Sequence, residues 1–269
     1  VRQRHPTLMG VRPDFWAVAD DSGRFEIPGI ATRIIYTKPV RIEAYGLDAA
    51  SGEVTDVPDW GINGERRLPG RALTIQMDGL EEEVQVVTIA ARGMALIETF
   101  DPRNLLTPEK MELINAATEA EPPLFGACLP LTPPEMELFG YHNRIGSWIE
   151  PTAVFFVPPG TRVKTVMATG LYGLGRRLLL LNGTPEKREG EGYLVEGEGF
   201  IAETPYKVAR DFFLLNDKRI GDLRRHGVRN GRLAAFHQRT EELLEEAGAA
   251  RRELRHQTFL DRARQAWAY

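Results

Sequence analysis

The sequence holds a single cysteine, Cys128, in 269 residues. One thiol cannot close an intrachain disulfide, and a four-cysteine or mixed Cys/His zinc site lacks ligands. Long apolar runs are also missing: stretches such as Leu178–Leu181 and Ala153–Val157 fall far short of the roughly 18 residues that cross a bilayer. Histidine is scarce. His5, His142, His226, His237 and His256 show no His-x-x-x-His or His-x-Glu spacing, so they read as surface or helix-end residues and no metal is expected. No Gly-x-Ser-x-Gly elbow is present. Cys128 lies in Phe-Gly-Ala-Cys-Leu-Pro, whose apolar residues would raise its pKa, and it reads as buried packing. The opening Val-Arg-Gln-Arg-His-Pro begins at Val1 without an apolar signal core, as expected of a processed or excised segment.

What is present is the composition of an ordinary folded protein. Apolar residues make up 42% and charged residues 27%, which argues against global disorder and low-complexity architecture. At about 100–200 residues per domain, the length fits two domains or one with an appendage. The net charge is −4, yet residues 205–269 carry 14 Lys+Arg against 9 Asp+Glu, leaving 20 against 29 before them. An acidic body precedes a basic tail. A basic segment can meet the phosphates of nucleic acid or lipid headgroups, but alternating signs on a solvated helix face give the same count. The solvated face is preferred, and no nucleic-acid partner is expected.

Strand-like alternation runs from Phe15 to Gly79. Phe25 and Ile27 flank Glu26, Val40, Ile42 and Ala44 alternate with Arg41, Glu43 and Tyr45, and Leu73, Ile75 and Met77 alternate with Thr74 and Gln76. Breaks at Asp20–Gly23, Ala50–Gly52 and Pro69–Gly70 supply glycine for positive φ, predicting a β-sandwich over residues 1–79. A second β-rich domain is expected over 80–203, with strands at Val84–Ile89, Ala95–Phe100, Ala153–Val157, Val163–Met167 and Leu178–Leu181. One helix is expected inside it, capped by Thr107, with Pro108 in its first turn and Met111, Leu113, Ile114 and Ala117 near helical spacing. The proline-rich stretch from Glu121 to Glu135 reads as an extended surface connection.

From Thr204 the period becomes helical. Thr204-Pro205 reads as a cap followed by proline, and Val208, Phe212, Leu215 and Leu223 form a stripe ending at His226-Gly227. Leu233, Phe236, Leu243 and Leu244 mark a second helix, and Gly248 breaks it from a third carrying Leu254, Leu260, Ala263 and Trp267. Residues 204–269 thus read as a helical hairpin with a leading helix. The expected fold class is mainly β with an α C-terminus, β-sandwich modules followed by a helical hairpin.

Motifs that could carry chemistry are sparse. Gly170-Leu-Tyr-Gly-Leu-Gly175 lacks the Lys-Ser/Thr of a phosphate loop and reads as a hairpin. Asp56, Asp59, Asn63 and Gly64 have oxygen-rich spacing but lack the order and terminal glutamate of a calcium loop. Asn182-Gly-Thr184 matches a glycosylation acceptor. Glu196, Glu198 and Glu203, near Tyr193 and Phe200, read as an exposed ribbon. Trp60, Trp148, Tyr141 and Tyr172 fall in or beside loops, where aromatics either stack on sugars and partner surfaces or anchor packing.

Asp21-Ser-Gly-Arg-Phe-Glu-Ile-Pro-Gly-Ile30, followed by Val40-Arg-Ile-Glu-Ala-Tyr-Gly-Leu47, resembles the D-x-G-x-F-x-I-x-G-L … Y-x-L-x-A pattern of carboxypeptidase regulatory-like, transthyretin-type β-sandwich modules, over residues 14–79. It departs from that pattern where Ala31 to Pro39 replaces a short Pro-Pro-Gly-x-Tyr turn. Such modules are structural or binding units, so the resemblance implies no peptidase chemistry. Asp101-Pro-Arg103, Ala117-Thr-Glu-Ala-Glu-Pro122, Phe156-Val-Pro-Pro-Gly-Thr-Arg162, Leu180-Leu-Asn-Gly-Thr-Pro185 and Leu215-Asn-Asp-Lys-Arg-Ile220 resemble the extracytoplasmic portion of bacterial membrane proteins that join these modules to an FtsX-like, ABC-type permease region. That resemblance implies an extracytoplasmic, membrane-associated location, with the helical tail leading toward membrane spans.

The expected function is therefore a non-catalytic structural or interaction domain without a cofactor, coupling β-sandwich modules to a protein partner in a membrane-associated assembly. The C-terminal helices would face that partner or a membrane surface through Arg262, Arg264 and Trp267, residue types suited to an interface. Trp60, Trp148 and Tyr172 are candidate surface residues, and they define an alternative: a carbohydrate-binding or cell-surface adhesion module. A further alternative is a hydrolase with acids drawn from Glu150, Glu196 and Asp211.

Overall fold

The computed structural model describes residues 17–28, 40–42, 44–61, 74–75, 81–99, 101, 110–128, 153–169, 176–196 and 199–269. The chain forms two units, Val1–Arg92 with Pro123–Gly126, and Gly93–Pro122 with Ala127–Tyr269. The C-terminal helices fall in the same unit as the second group of strands.

In the first unit, β1 (Val40–Arg41) pairs antiparallel with β4 (Thr74–Ile75), while β2 (Gly46–Leu47), β3 (Val54–Pro58) and β5 (Thr88–Ala90) form an antiparallel three-stranded sheet. Its turns are built on aspartate. Asp48 Oδ1 accepts the backbone N–H groups of Ala50 and Ser51 and the Ser51 hydroxyl, and Gly52 follows at φ 74. Asp20 serves Ser22 and Arg24 in the same way ahead of Gly23 at φ 79. These donors favour the charged carboxylate: the Ser51 backbone and hydroxyl lead in lowering the Asp48 pKa, and the Ser22 hydroxyl leads for Asp20. Two of the turns expected from sequence are thus present; Pro69–Gly70 lies outside the described residues.

Among the described residues, the second unit holds two four-stranded sheets. One has the order β13 (Gly199–Ile201), β6 (Arg92–Leu96), β9 (Ala153–Val157), β8 (Gly126–Cys128), with β13 parallel to β6. Along β9, Ala153, Phe155 and Val157 are buried while Val154 and Phe156 are half-buried, a period-two burial within a run that is apolar at every position. The other sheet is organised on β10 (Thr161–Thr169). One edge of β10 pairs with β7 (Lys110–Asn115), and the opposite edge is shared end to end by β11 (Arg176–Leu180) and β12 (Tyr193–Val195).

β7 corrects the helix expected after Thr107. Met111 and Leu113 stand two residues apart, a strand period as much as part of a helical one, and six successive residues find antiparallel partners from Val163 to Ala168. The distant pairing decides the conformation. The Gly170–Gly175 segment joins the antiparallel pair β10 and β11, as a hairpin requires, and itself lies outside the described residues.

Three helices close the chain: α1 (Thr204–Arg225), α2 (Gly231–Arg252) and α3 (His256–Ala268). α1 packs on β11, and α3 packs against both α1 and α2. Ala247 and Ala250 of α2 admit Phe259 of α3 closely, with Tyr206 of α1 tilted against that ring at 5.5 Å. Two helix boundaries differ from expectation. The residue before α1 is Glu203, in left-handed conformation, and the Thr204 hydroxyl instead donates to the backbone carbonyl of Ile97. α2 runs through Gly248, because an isolated glycine costs a helix only about 1 kcal/mol; the break falls at Glu253–Arg255.

Candidate functional site

Asp211 of α1 is a buried acid of the second unit, 2% exposed, with three backbone hydrogen bonds. Its Oδ2 accepts the backbone N–H groups of Leu181 at 2.6 Å and Asn182 at 3.2 Å, and its Oδ1 accepts Gly183 N–H at 2.8 Å. Arg210 adds a bond from its guanidinium to the Gly183 carbonyl. These partners open the loop of residues 181–192, which spans the gap between β11 and β12. Asn182 stands at φ 55 and its side-chain amide donates to the Gly192 carbonyl, while Gly192 N–H returns to Leu181 O. The Asn182-Gly-Thr184 tripeptide is thus part of the loop's internal bonding.

Burial pushes the Asp211 carboxyl above its ordinary range, opposed by the N–H groups of Leu181, Gly183 and Asn182 and by the Arg210 charge. Burial also raises the neighbouring Tyr193 phenol, with the Asp211 charge adding to the effect and Arg210 opposing it. Farther along α1, Asp217 pairs with Arg188 at 2.8 Å and Lys218 pairs with Glu189, both from the same loop. Asp217 also reaches His237 Nε2 of α2 at 3.3 Å, and His237 stacks on Phe213 with centroids 4.4 Å apart. A single loop is therefore held along α1 by one buried carboxylate and two ion pairs. Both carboxylate oxygens of Asp211 are engaged by backbone donors.

The far end of α1 is closed by hydrogen bonds as well. Gly227, at φ 80, donates to Arg224 O, and Val228 donates to Leu223 O, the paired bonds of a Schellman motif. Two residues later Asn230 caps α2, its side chain accepting Leu233 N–H. Every residue from Leu223 to Leu233 is exposed.

The residues singled out in the sequence are dispersed. Trp60 is half-buried in the first unit, its backbone N–H donating to Phe125 O, while Trp148 and Tyr172 lie outside the described residues, as do Glu150 and Glu198. Glu196 is exposed. Arg262 pairs with Glu246 of α2 at 2.6 Å and Arg264 is half-buried. Trp267 is 4% exposed and belongs to the packed interior of the bundle, which corrects its expected place on a surface. Of the calcium-like set, Asp59 Oδ1 accepts Gly61 N–H, and Asn63 and Gly64 lie outside the described residues. Among the described residues, no three His, Cys, Asp or Glu side chains gather as metal ligands, and no helix is long and apolar enough to cross a membrane.

The feature missed from sequence is the α1–α2 end of the bundle. Its signal was the acid-free stretch between Asp222 and Glu241, which holds Arg224, Arg225, Arg229, Arg232 and Arg239. Leu233 and Phe236 sit there too, and both are exposed. The chain matches no known protein family, no curated protein and no solved structure.

Proposed function

We propose that the chain is a non-catalytic extracytoplasmic interaction domain of a membrane-associated assembly. Its first unit is read as a carboxypeptidase regulatory-like β-sandwich module, and its helical bundle as the element that couples β-rich structure to a membrane-proximal protein partner. The observation that carries this reading is the attachment of α1 to loop 181–192 through Asp211, reinforced by Arg188–Asp217 and Lys218–Glu189. A helix fixed in this way cannot shift without moving the ends of β11 and β12, so a load on the bundle reaches the sheet. The aspartate-built turns and antiparallel strands of the first unit support the module reading.

A photo-cross-linking amino acid placed singly at Gln238 or Glu245, both exposed on α2, or at Val18 in the first unit tests the coupling role in cells making the parent protein. Adducts with a membrane-fraction protein are expected from the α2 positions. Adducts from Val18 alone, or from none of the three, would overturn the reading.

A further inference from the structure

The exposed end of the helical hairpin combines two features that water alone does not favour together. The stretch Leu223–Phe236 contains Arg224, Arg225, Arg229 and Arg232 and no carboxylate. Within it Leu223 is 41% exposed, Val228 51% and Phe236 45%. Arg232 lies over the Phe236 ring, and Tyr269, at the end of α3 and itself exposed, is tilted against that ring with centroids 6.0 Å apart. The exposure is fixed by the fold: the Schellman bonds at Gly227 and Val228 and the Asn230 cap satisfy the turn's backbone while leaving its apolar side chains outward.

We infer that this end of the bundle docks on an anionic phospholipid surface, the guanidinium groups meeting headgroup phosphates and the leucine, valine and phenylalanine side chains entering the acyl boundary. The inference rests on the membrane-associated reading above and moves the contact from α3, where Arg262 and Trp267 are engaged within the bundle, to the α1–α2 turn. Charge complementarity selects the partner: Arg225 pairs with the flanking Asp222, and Arg224, Arg229 and Arg232 stand in a stretch with no acid of its own, where anionic headgroups attract each nearby arginine additively. The apolar residues distinguish a bilayer from a nucleic acid. A phosphate backbone offers them nothing, whereas an interfacial segment gains affinity from buried apolar area as well as from charge.

The test is flotation of the full chain with phosphatidylcholine vesicles, with and without phosphatidylglycerol. Binding is expected only with phosphatidylglycerol, weakened by salt. Arg224→Gln/Arg229→Gln/Arg232→Gln should lower partitioning by roughly one to two orders of magnitude. Leu223→Ser/Val228→Ser/Phe236→Ser should also lower it, with thermal unfolding confirming that both variants remain folded. The inference is overturned if wild type ignores phosphatidylglycerol, or if the serine variant floats as well as wild type. It is also overturned if single-stranded DNA binds wild type and the serine variant alike and competes the protein off vesicles. Protein adducts from Gln238 or Glu245 without vesicle binding would leave the coupling role standing and remove the lipid; vesicle binding without adducts would do the reverse.

Discussion

Asp211 accepts the backbone N–H of Leu181 at 2.6 Å across 30 residues of sequence, joining α1 to the end of β11. Replacing it with alanine leaves the donors of Leu181, Asn182 and Gly183 without their acceptor. Each buried unsatisfied group costs about 1–3 kcal/mol, so Asp211→Ala is expected to destabilise the second unit by about 3–5 kcal/mol in urea unfolding. Asp211→Asn keeps one acceptor oxygen but turns an amide donor toward another N–H, for an expected loss of about 1–3 kcal/mol. Hydrogen exchange at residues 181–183 should accelerate in both. Unchanged exchange there would mean that the loop holds itself.

The same carboxyl makes a pH prediction of definite sign. Burial raises its pKa in the folded state above the ordinary 3.8, against the opposing backbone bonds. Between those two values the native protein holds more protons than the unfolded chain, so this group's contribution is fully present below 3.8 and is lost as pH rises through the folded value. The stability difference between wild type and Asp211→Asn should therefore widen as pH falls from neutrality toward 4. A difference that narrows on acidification would show that the three N–H bonds outweigh burial.

Glycine is required unequally in the loops of the second unit. At Gly190, φ is 87° and a Cβ would stand 2.1 Å from the Leu181 carbonyl oxygen, while at Gly160, φ is 80° with open space around it. Gly160→Ala bears only the left-handed backbone strain, about 1 kcal/mol. Gly190→Ala must also displace backbone, and is expected to cost at least about 3 kcal/mol and to reduce the protection of residues 181–192. Equal melting temperatures for the two variants would contradict the loop's packing against Leu181.

What the sequence made legible was local composition and turn chemistry. Ala153–Val157 matches its strand as a short apolar run of β-branched and aromatic residues, and α1 ends at His226-Gly227 because glycine fits the left-handed position. What it hid depends on distant partners. Met111–Ile114 resembles a helix until β10, some fifty residues on, supplies the pairing, and the partners of Asp211 are backbone N–H groups that any sequence carries. Leu233 and Phe236 were legible as helical positions but not as exposed ones, because the alanine-rich contact between α2 and α3 begins farther along the helix. Periodicity gives a helix its faces without saying that each is covered.

The turn between α2 and α3 offers the opposite sign of change. Leu254 N–H donates to Arg251 O and Arg255 N–H to Ala250 O, the same paired bonds that end α1, but the left-handed position is filled by leucine at φ 57. A side chain with a Cβ is strained there, by roughly 1–2 kcal/mol, whereas glycine is not. The leucine contributes little in return, since it is 73% exposed. Glycine's greater freedom in the unfolded chain offsets part of the gain, so Leu254→Gly is expected to stabilise by about 0.5–1 kcal/mol and to raise the melting temperature by about 2 °C. Leu254→Ala keeps the strain and should lie within about 0.5 kcal/mol of wild type. If glycine instead lowers the melting temperature while alanine leaves it unchanged, unfolded-chain entropy outweighs the strain. If both lower it, the leucine side chain packs against the bundle more than its exposure indicates.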